Sequence, residues 1–152
     1  MASTSAPDAL AFLNEHLGGW NRAMGLTFVS ASGDLVVGEL TVTEVHRQPY
    51  GIVHGGVHAG IIETACSTGA ALHAMARGQT VVGLENSTSF IHAARGGLLR
   101  VTARPLTRGR RSQAWTADVT DETGRILATG RVRLLCLDPG ADVAGKAAGM
   151  ES

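Results

Sequence analysis

The sequence predicts an α+β domain in which an antiparallel sheet packs on one long helix. Three observations predict it. Residues 55–76 hold a long stretch without a proline, and between Val57 and Ala76 the only formal charge is Glu63. The segments beyond Gly78 alternate apolar and polar residues with the period of a strand. Gly96-Gly97 and the DETG of 121–124 separate those segments with hairpin-turn chemistry. A helix followed by a run of antiparallel strands is an α+β order, with the sheet laid on the helix. One sheet covers only one side of a helix, so a homodimer is expected to bury the rest.

In chain order, residues 1–7 read as frayed. Asp8 to Leu17 carries Leu10, Leu13 and Leu17 at helical spacing, with Asp8 as a candidate N-cap and Gly18-Gly19 as the stop. Gly25 to Ala31 reads as a short strand and Ser32-Gly33-Asp34 as a turn. Leu35 to Val42 reads as a second strand, with Val36, Gly38, Leu40 and Val42 on one face. Residues 43–54 are irregular around Pro49 and Gly51. The long helix follows, from about Gly55 to Ala76, and Gly78 supplies a C-terminal stop. Then come strands at Val81 to Ile91, at Leu98 to Ala103, through Gln113, Trp115, Ala117 and Val119, and through Ile126, Ala128, Gly130, Val132, Leu134 and Cys136. Residues 1–138 are therefore expected to form a single domain, and 139–152 a loose tail.

Composition excludes several function classes. With 152 residues there is room for one domain and its core. Thirteen basic and thirteen acidic residues cancel, so no global field exists to hold nucleic acid or an anionic membrane. The first ten residues show no basic segment followed by an apolar one, and no run of 18 apolar residues occurs. Cys66 and Cys136 each fall inside a regular element, so a disulfide is not expected. A cytoplasmic protein is the simplest expectation.

The helix concentrates the chemistry. Ala59, Gly60, Ala65, Ser67, Gly69, Ala70 and Ala71 let a sheet approach its backbone closely. A carboxylate on so apolar an element costs several kcal/mol unless it is paired or faces a cleft. Glu63 is thus either a structural ion-pair partner or a reactive group. The helix start favours the second. His54-Gly55-Gly56 leaves backbone N–H groups open to a ligand, and the helix dipole favours negative charge there. Such a terminus suits a developing oxyanion. Gly55 and Glu63 lie eight residues apart, about 12 Å along the axis, too far for one reacting carbon to touch both. If both serve one reaction, they come from two chains and the site lies at a symmetric interface.

At these residues the chain resembles the hotdog-fold thioesterases, most closely the subgroup containing 4-hydroxybenzoyl-CoA thioesterase and 1,4-dihydroxy-2-naphthoyl-CoA thioesterase. The resemblance is carried by QPYGIVHGG (Gln48 to Gly56) followed by Glu63, with VVGLENSTSF (Val81 to Phe90), Gly96-Gly97, RPLTRGRRSQAW (Arg104 to Trp115) and DETGRILATGRV (Asp121 to Val132). It spans roughly residues 24–136. It implies an antiparallel sheet wrapped around the central helix, and acyl-CoA hydrolysis. Glu63 would attack the thioester carbonyl or activate water, and the Gly55 N–H would polarise that carbonyl. Gln48 and His54 would line the thioester site, and Ser67, one turn beyond Glu63, would position water. Gly83, Phe90 and His92 match positions along the substrate channel. The basic run Thr107, Arg108, Gly109, Arg110, Arg111 and Ser112 would hold coenzyme A phosphates at a subunit edge. Family members form dimers that pair into tetramers. The CoA thioester is the substrate, and neither cofactor nor metal is implied.

Rival chemistries fit less well. His54 and His58 are four apart, as helical metal ligands are, but Glu63 lies about 140° and 180° around the helix from them. A Cys66 or Ser67 nucleophile lacks a positioned base. A hotdog dehydratase or hydratase would be expected to show a His-Phe-Pro-Gly type of motif, absent here. A non-catalytic acyl-CoA sensor usually adds a DNA-binding module, for which 152 residues leave no room.

Overall fold

The computed structural model describes residues 6–150. Helices α1 (Ala6–Glu15) and α2 (Gly18–Met24) lead into strands β1 (Thr27–Ala31) and β2 (Val36–Thr41). A 3-10 turn (Glu44–His46) precedes the central helix α3 (Gly55–Ala74). Strands β3 (Thr80–Phe90), β4 (Leu98–Arg108), β5 (Ser112–Thr120) and β6 (Ile126–Leu137) follow. All pair antiparallel in one six-stranded sheet of order β1-β2-β4-β5-β6-β3.

The sheet wraps α3. Val57, His58, Ile61, Ile62, Ala65, Cys66, Gly69 and Ala70 form the buried face of the helix, and strands β2 to β6 pack on it. The small residues permit this. At Gly69 the Trp115 ring occupies the space a Cβ would need. Trp115 is fully buried, and its indole N–H donates to Gln113 Oε1 at 2.9 Å. Gln113 Nε2 in turn donates to the Ala70 carbonyl at 3.0 Å, pinning sheet to helix. The opposite face is only partly covered, by α2: Trp20 lies over Gly60, and the Thr64 hydroxyl donates to Asn21 Oδ1 at 2.6 Å. The helix is thus apolar all round but buried mainly on one side.

Several sequence expectations need correction. The first helix starts at Ala6, so Asp8 sits inside its first turn and is not the cap; Pro7 is tolerated at a helix start. Residues 1–5 of the stretch read as frayed lie outside the described residues. Gly18-Gly19 does interrupt the helix, but Gly18, at φ 77°, opens a second one that no apolar periodicity announces. Strand β4 runs five residues past Ala103, because a bulge between Pro105 and Thr107 accommodates the proline. In β6 a register shift opposite Val119 and Thr120 leaves Ile126 exposed and buries Leu127 beside Ala128. The terminal stretch 139–152 is not wholly irregular: β7 (Asp142–Val143) and β8 (Lys146–Ala147) form a hairpin around Ala144-Gly145, both at positive φ.

Strand β3 is an edge of the sheet and is exposed along most of its length. Its register slips between Gly83 and Glu85, so Leu84 is an extra residue. This bulge shifts the alternation by one. Gly83 before it and Asn86, Thr88 and Phe90 after it all turn toward α3.

Candidate active site

The loop entering α3 is built on a buried histidine. His46 Nδ1 accepts from the Thr43 N–H at 2.8 Å, and Nε2–H donates to the Met24 carbonyl at 2.7 Å. With both nitrogens occupied, His46 is a structural residue that fixes the chain just before Gln48. The Gln48 N–H donates to the Ile52 carbonyl, the Gly51 N–H donates back to the Gln48 carbonyl, and Gly51 takes φ 76° to close the turn. The Tyr50 N–H donates to Gln48 Oε1, which leaves the amide NH2 as the group Gln48 can offer a ligand.

His54 is the N-cap of α3: its Nδ1 accepts from the Gly56 N–H at 2.8 Å. That bond requires the proton on Nε2, so His54 presents a donor outward. The Gly55 N–H makes no hydrogen bond among the described residues. It is an orphan donor at the positive end of a 20-residue helix. The Phe90 ring stands over it, its Cζ 2.7 Å from where a Gly55 side chain would begin.

Gln48, Gly55 and Phe90 line one cleft of about 290 Å3, together with Ile52, Val53, His58 and His92. His92 Nδ1–H donates to the Ile126 carbonyl at 2.8 Å, which leaves Nε2 as an acceptor. His58 is buried, its Nδ1 has no hydrogen-bond partner, and burial holds its pKa below the ordinary value. Four expected site residues, Gln48, Gly55, Phe90 and His92, are therefore brought together here. His54, the cap of α3, is not among the residues that line the cleft.

Glu63 is not in this cleft. It lies two turns further along α3, half-buried beneath β3. Its Oε1 accepts from the Ser67 hydroxyl at 3.3 Å, and its Oε2 accepts from Asn86 Nδ2 at 3.1 Å. Gly83 faces it so closely that a Cβ there would stand 2.5 Å from Oε1. Gly83, expected along a substrate channel, is in this chain the floor against which the carboxylate packs. Neighbouring Cys66 has its thiol pushed up to about 12, first by burial and then by the Glu63 charge, so it holds its proton and is no nucleophile.

The basic run lies elsewhere. Gly109, Arg110 and Arg111 form the exposed β4–β5 turn, docked at the C-terminal end of α3. Arg77 donates to the Gly109 carbonyl and Gln79 to the Arg110 carbonyl, each at 3.1 Å. Arg108 is engaged by Asp34 at 2.5 Å. The helix is roughly 30 Å long, so within one chain this turn is remote from the Gly55 cleft. Among the described residues no three His, Cys, Asp or Glu side chains gather as metal ligands, and no helix is long and apolar enough to cross a membrane.

Asn86 was not singled out from the sequence. It stands in a polar run, Asn86-Ser87-Thr88-Ser89, that plain alternation would assign to solvent on every second residue. Only the bulge at Leu84 reveals which residues turn inward.

A sheet wrapped on a central helix, with an orphan amide at the helix start and a lone carboxylate two turns on, is the hotdog architecture. The chain belongs to the thioesterase superfamily, whose sequence profile matches residues 50–128. It is 34% identical to the 1,4-dihydroxy-2-naphthoyl-CoA hydrolase of Listeria monocytogenes, over 74% of this chain and 91% of that one. It is 36% identical to the proofreading thioesterase EntH of Cronobacter sakazakii, over 72% and 79%. The crystal structure of S. sahachiroi AziG superposes with a TM-score of 0.77 at 40% identity, covering 80% of this chain and 98% of AziG. The protein is a thioester hydrolase.

Proposed function

We propose that the chain hydrolyses an acyl-CoA with an aromatic or medium-chain acyl group, using Glu63 as nucleophile or general base. The observation that carries this is the separation of two complementary halves. The cleft holds an unpaired amide, Gly55 N–H, and the side-chain NH2 of Gln48. The carboxylate is the sole formal charge on its helix, sits outside that cleft, and is aligned by two donors. Two copies related by a twofold axis would bring the Glu63 of one to the Gly55 of the other. The exposed edge strand β3, which carries residues of both halves, is where a second copy would pair. The homodimer, or a dimer of dimers, is thus part of the proposal. The remote basic turn fits the same reading, as a phosphate site for the coenzyme supplied from another subunit.

In the general-base route, Glu63 takes a proton from water while the hydroxide adds to the thioester carbon. The oxyanion forms against the Gly55 N–H, and collapse expels the CoA thiolate, which regains a proton. In the nucleophilic route the carboxylate itself adds and the CoA thiolate leaves, giving an acyl anhydride on Glu63 that water opens to the free acid and the restored carboxylate. Neither route calls on a metal or a cofactor. The test is thiol release from an acyl-CoA panel by wild type and Glu63→Gln. The variant keeps shape and loses charge, so turnover should fall at least ~10²-fold with little change in KM. A folded, fully active Glu63→Gln enzyme would overturn the reading.

A further inference from the structure

The bulge at Leu84 aims one strand residue at the carboxylate. Asn86 Nδ2 lies 3.1 Å from Glu63 Oε2 and 3.0 Å from the Ala59 carbonyl oxygen. Its Oδ1 lies 2.6 Å from the Thr88 hydroxyl. The Ala59 carbonyl can only accept, so the amide edge facing α3 must be the NH2. The hydroxyl of Thr88, which can donate or accept, then donates to Oδ1 and holds that end of the amide in place. With one hydrogen on Ala59, the other is committed to Glu63. A flipped amide would point an oxygen at a carbonyl and a carboxylate at once.

We propose that Asn86 is a positioning residue for Glu63, held by Thr88, and that this relay sets the carboxylate's rotamer. The proposal rests on the reading of Glu63 given above. The relay would act on turnover, because it touches neither the Gly55 cleft nor the basic turn. It also divides the carboxylate: Oε2 is held by the strand and Oε1 by Ser67 on its own helix, so both oxygens have fixed directions.

Few other charges face this point. Cys66, beside Glu63 on α3, holds its proton up to about 12. Glu85 turns to the outer face and meets Arg133 at 3.6 Å. Arg22 of α2 reaches back to the Glu15 carbonyl.

The experiment compares kcat and KM for wild type, Asn86→Ala, Asn86→Asp and Thr88→Val, with Glu63→Gln alongside. Asn86→Ala should lower kcat about ten- to a hundredfold, as loss of alignment does, with KM within about threefold. Thr88→Val should give a smaller loss and add nothing to Asn86→Ala in the double variant. Asn86→Asp keeps the shape, removes the amide donor and sets a second carboxylate beside the first, so kcat should fall at least as far as in Asn86→Ala with KM again within about threefold, a split that a general loss of structure would not give. This near-isosteric change decides the matter even if the alanine variant fails to fold. If Glu63→Gln is inactive while Asn86→Asp keeps the wild-type turnover, the positioning role is overturned and the Glu63 reading stands. If Glu63→Gln is itself fully active, both fall.

Discussion

The tightest constraint on Glu63 is Gly83, and replacing it with alanine isolates the carboxylate's position from its presence. The new Cβ would stand 2.5 Å from Oε1, about 1 Å short of ordinary contact, which begins near 3.4 Å. Gly83 is not among the glycines at positive φ, so alanine strains no backbone there. The clash is with the free end of a side chain, and the chain can relieve it by swinging the carboxylate away. Folding should therefore suffer little. The swing breaks the bonds to Ser67 and Asn86, at 3.3 and 3.1 Å, and moves the oxygens by about the clash distance. A misplacement of about 1 Å costs on the order of 10²-fold in rate. Gly83→Ala should thus melt within a few degrees of wild type and lose roughly 10²-fold in kcat. Thermal unfolding followed by circular dichroism, and thiol release under saturating acyl-CoA, measure the two quantities on one sample. A folded Gly83→Ala enzyme within threefold of wild-type turnover would show that the carboxylate's position does not matter, and the reasoning would fail.

Three further outcomes are expected. Gly69→Ala should destabilise by about 1–3 kcal/mol, because buried Trp115 cannot yield, whereas Gly60→Ala meets only the half-exposed Trp20 and should cost less; a denaturant titration of both variants that reversed this order would contradict the packing described. Burial holds His58 neutral in the folded chain, its pKa below 6.5, so below about pH 6.5 the unfolded state takes up a proton that the folded state refuses, and stability is lost as pH falls. His58→Leu should flatten that acid-side decline, which melting curves from pH 5 to 7.5 would show by a smaller slope than wild type. Mixing Glu63→Gln with a folded Gly55→Pro, which lacks the amide donor, should restore activity toward about a quarter of wild type per site if subunits exchange at random; no recovery after demonstrated exchange would place both groups in one chain.

How far the sequence reads as this structure depends on the kind of signal each element carries. The central helix and the strands β2, β5 and β6 follow from periodicity, because each buries one face against the other. Val36, Gly38 and Leu40 are the buried positions of β2, and Val42 just beyond its end is buried with them. Gln48 and Gly55 reach one cleft through a short glycine-turned loop and a helix start, and the end of β3 brings Phe90 and His92 to it. What periodicity could not show is where it is interrupted. The extension of β4 through Pro105, the inversion at Ile126 and Leu127, and the inward turn of Asn86 all come from single-residue bulges. A bulge has no composition of its own. Helix α2 escaped for a related reason: seven residues with two glycines and no buried side chain carry no apolar stripe.

The slip in β3 has a consequence for how this strand can change length. In an ordinary strand, losing one residue inverts every position beyond the loss. At Leu84 the extra residue already stores one inversion, so deleting it would restore plain alternation while Asn86, Thr88 and Phe90 keep their facing. An insertion or deletion two or more residues later would have the opposite effect, turning Ser87 and Ser89 onto the helix. Leu84 is thus a natural joint in an otherwise phase-locked strand. Among lineages descended from this fold, length variation in β3 should collect there, while the stretch from Asn86 to Phe90 keeps its spacing.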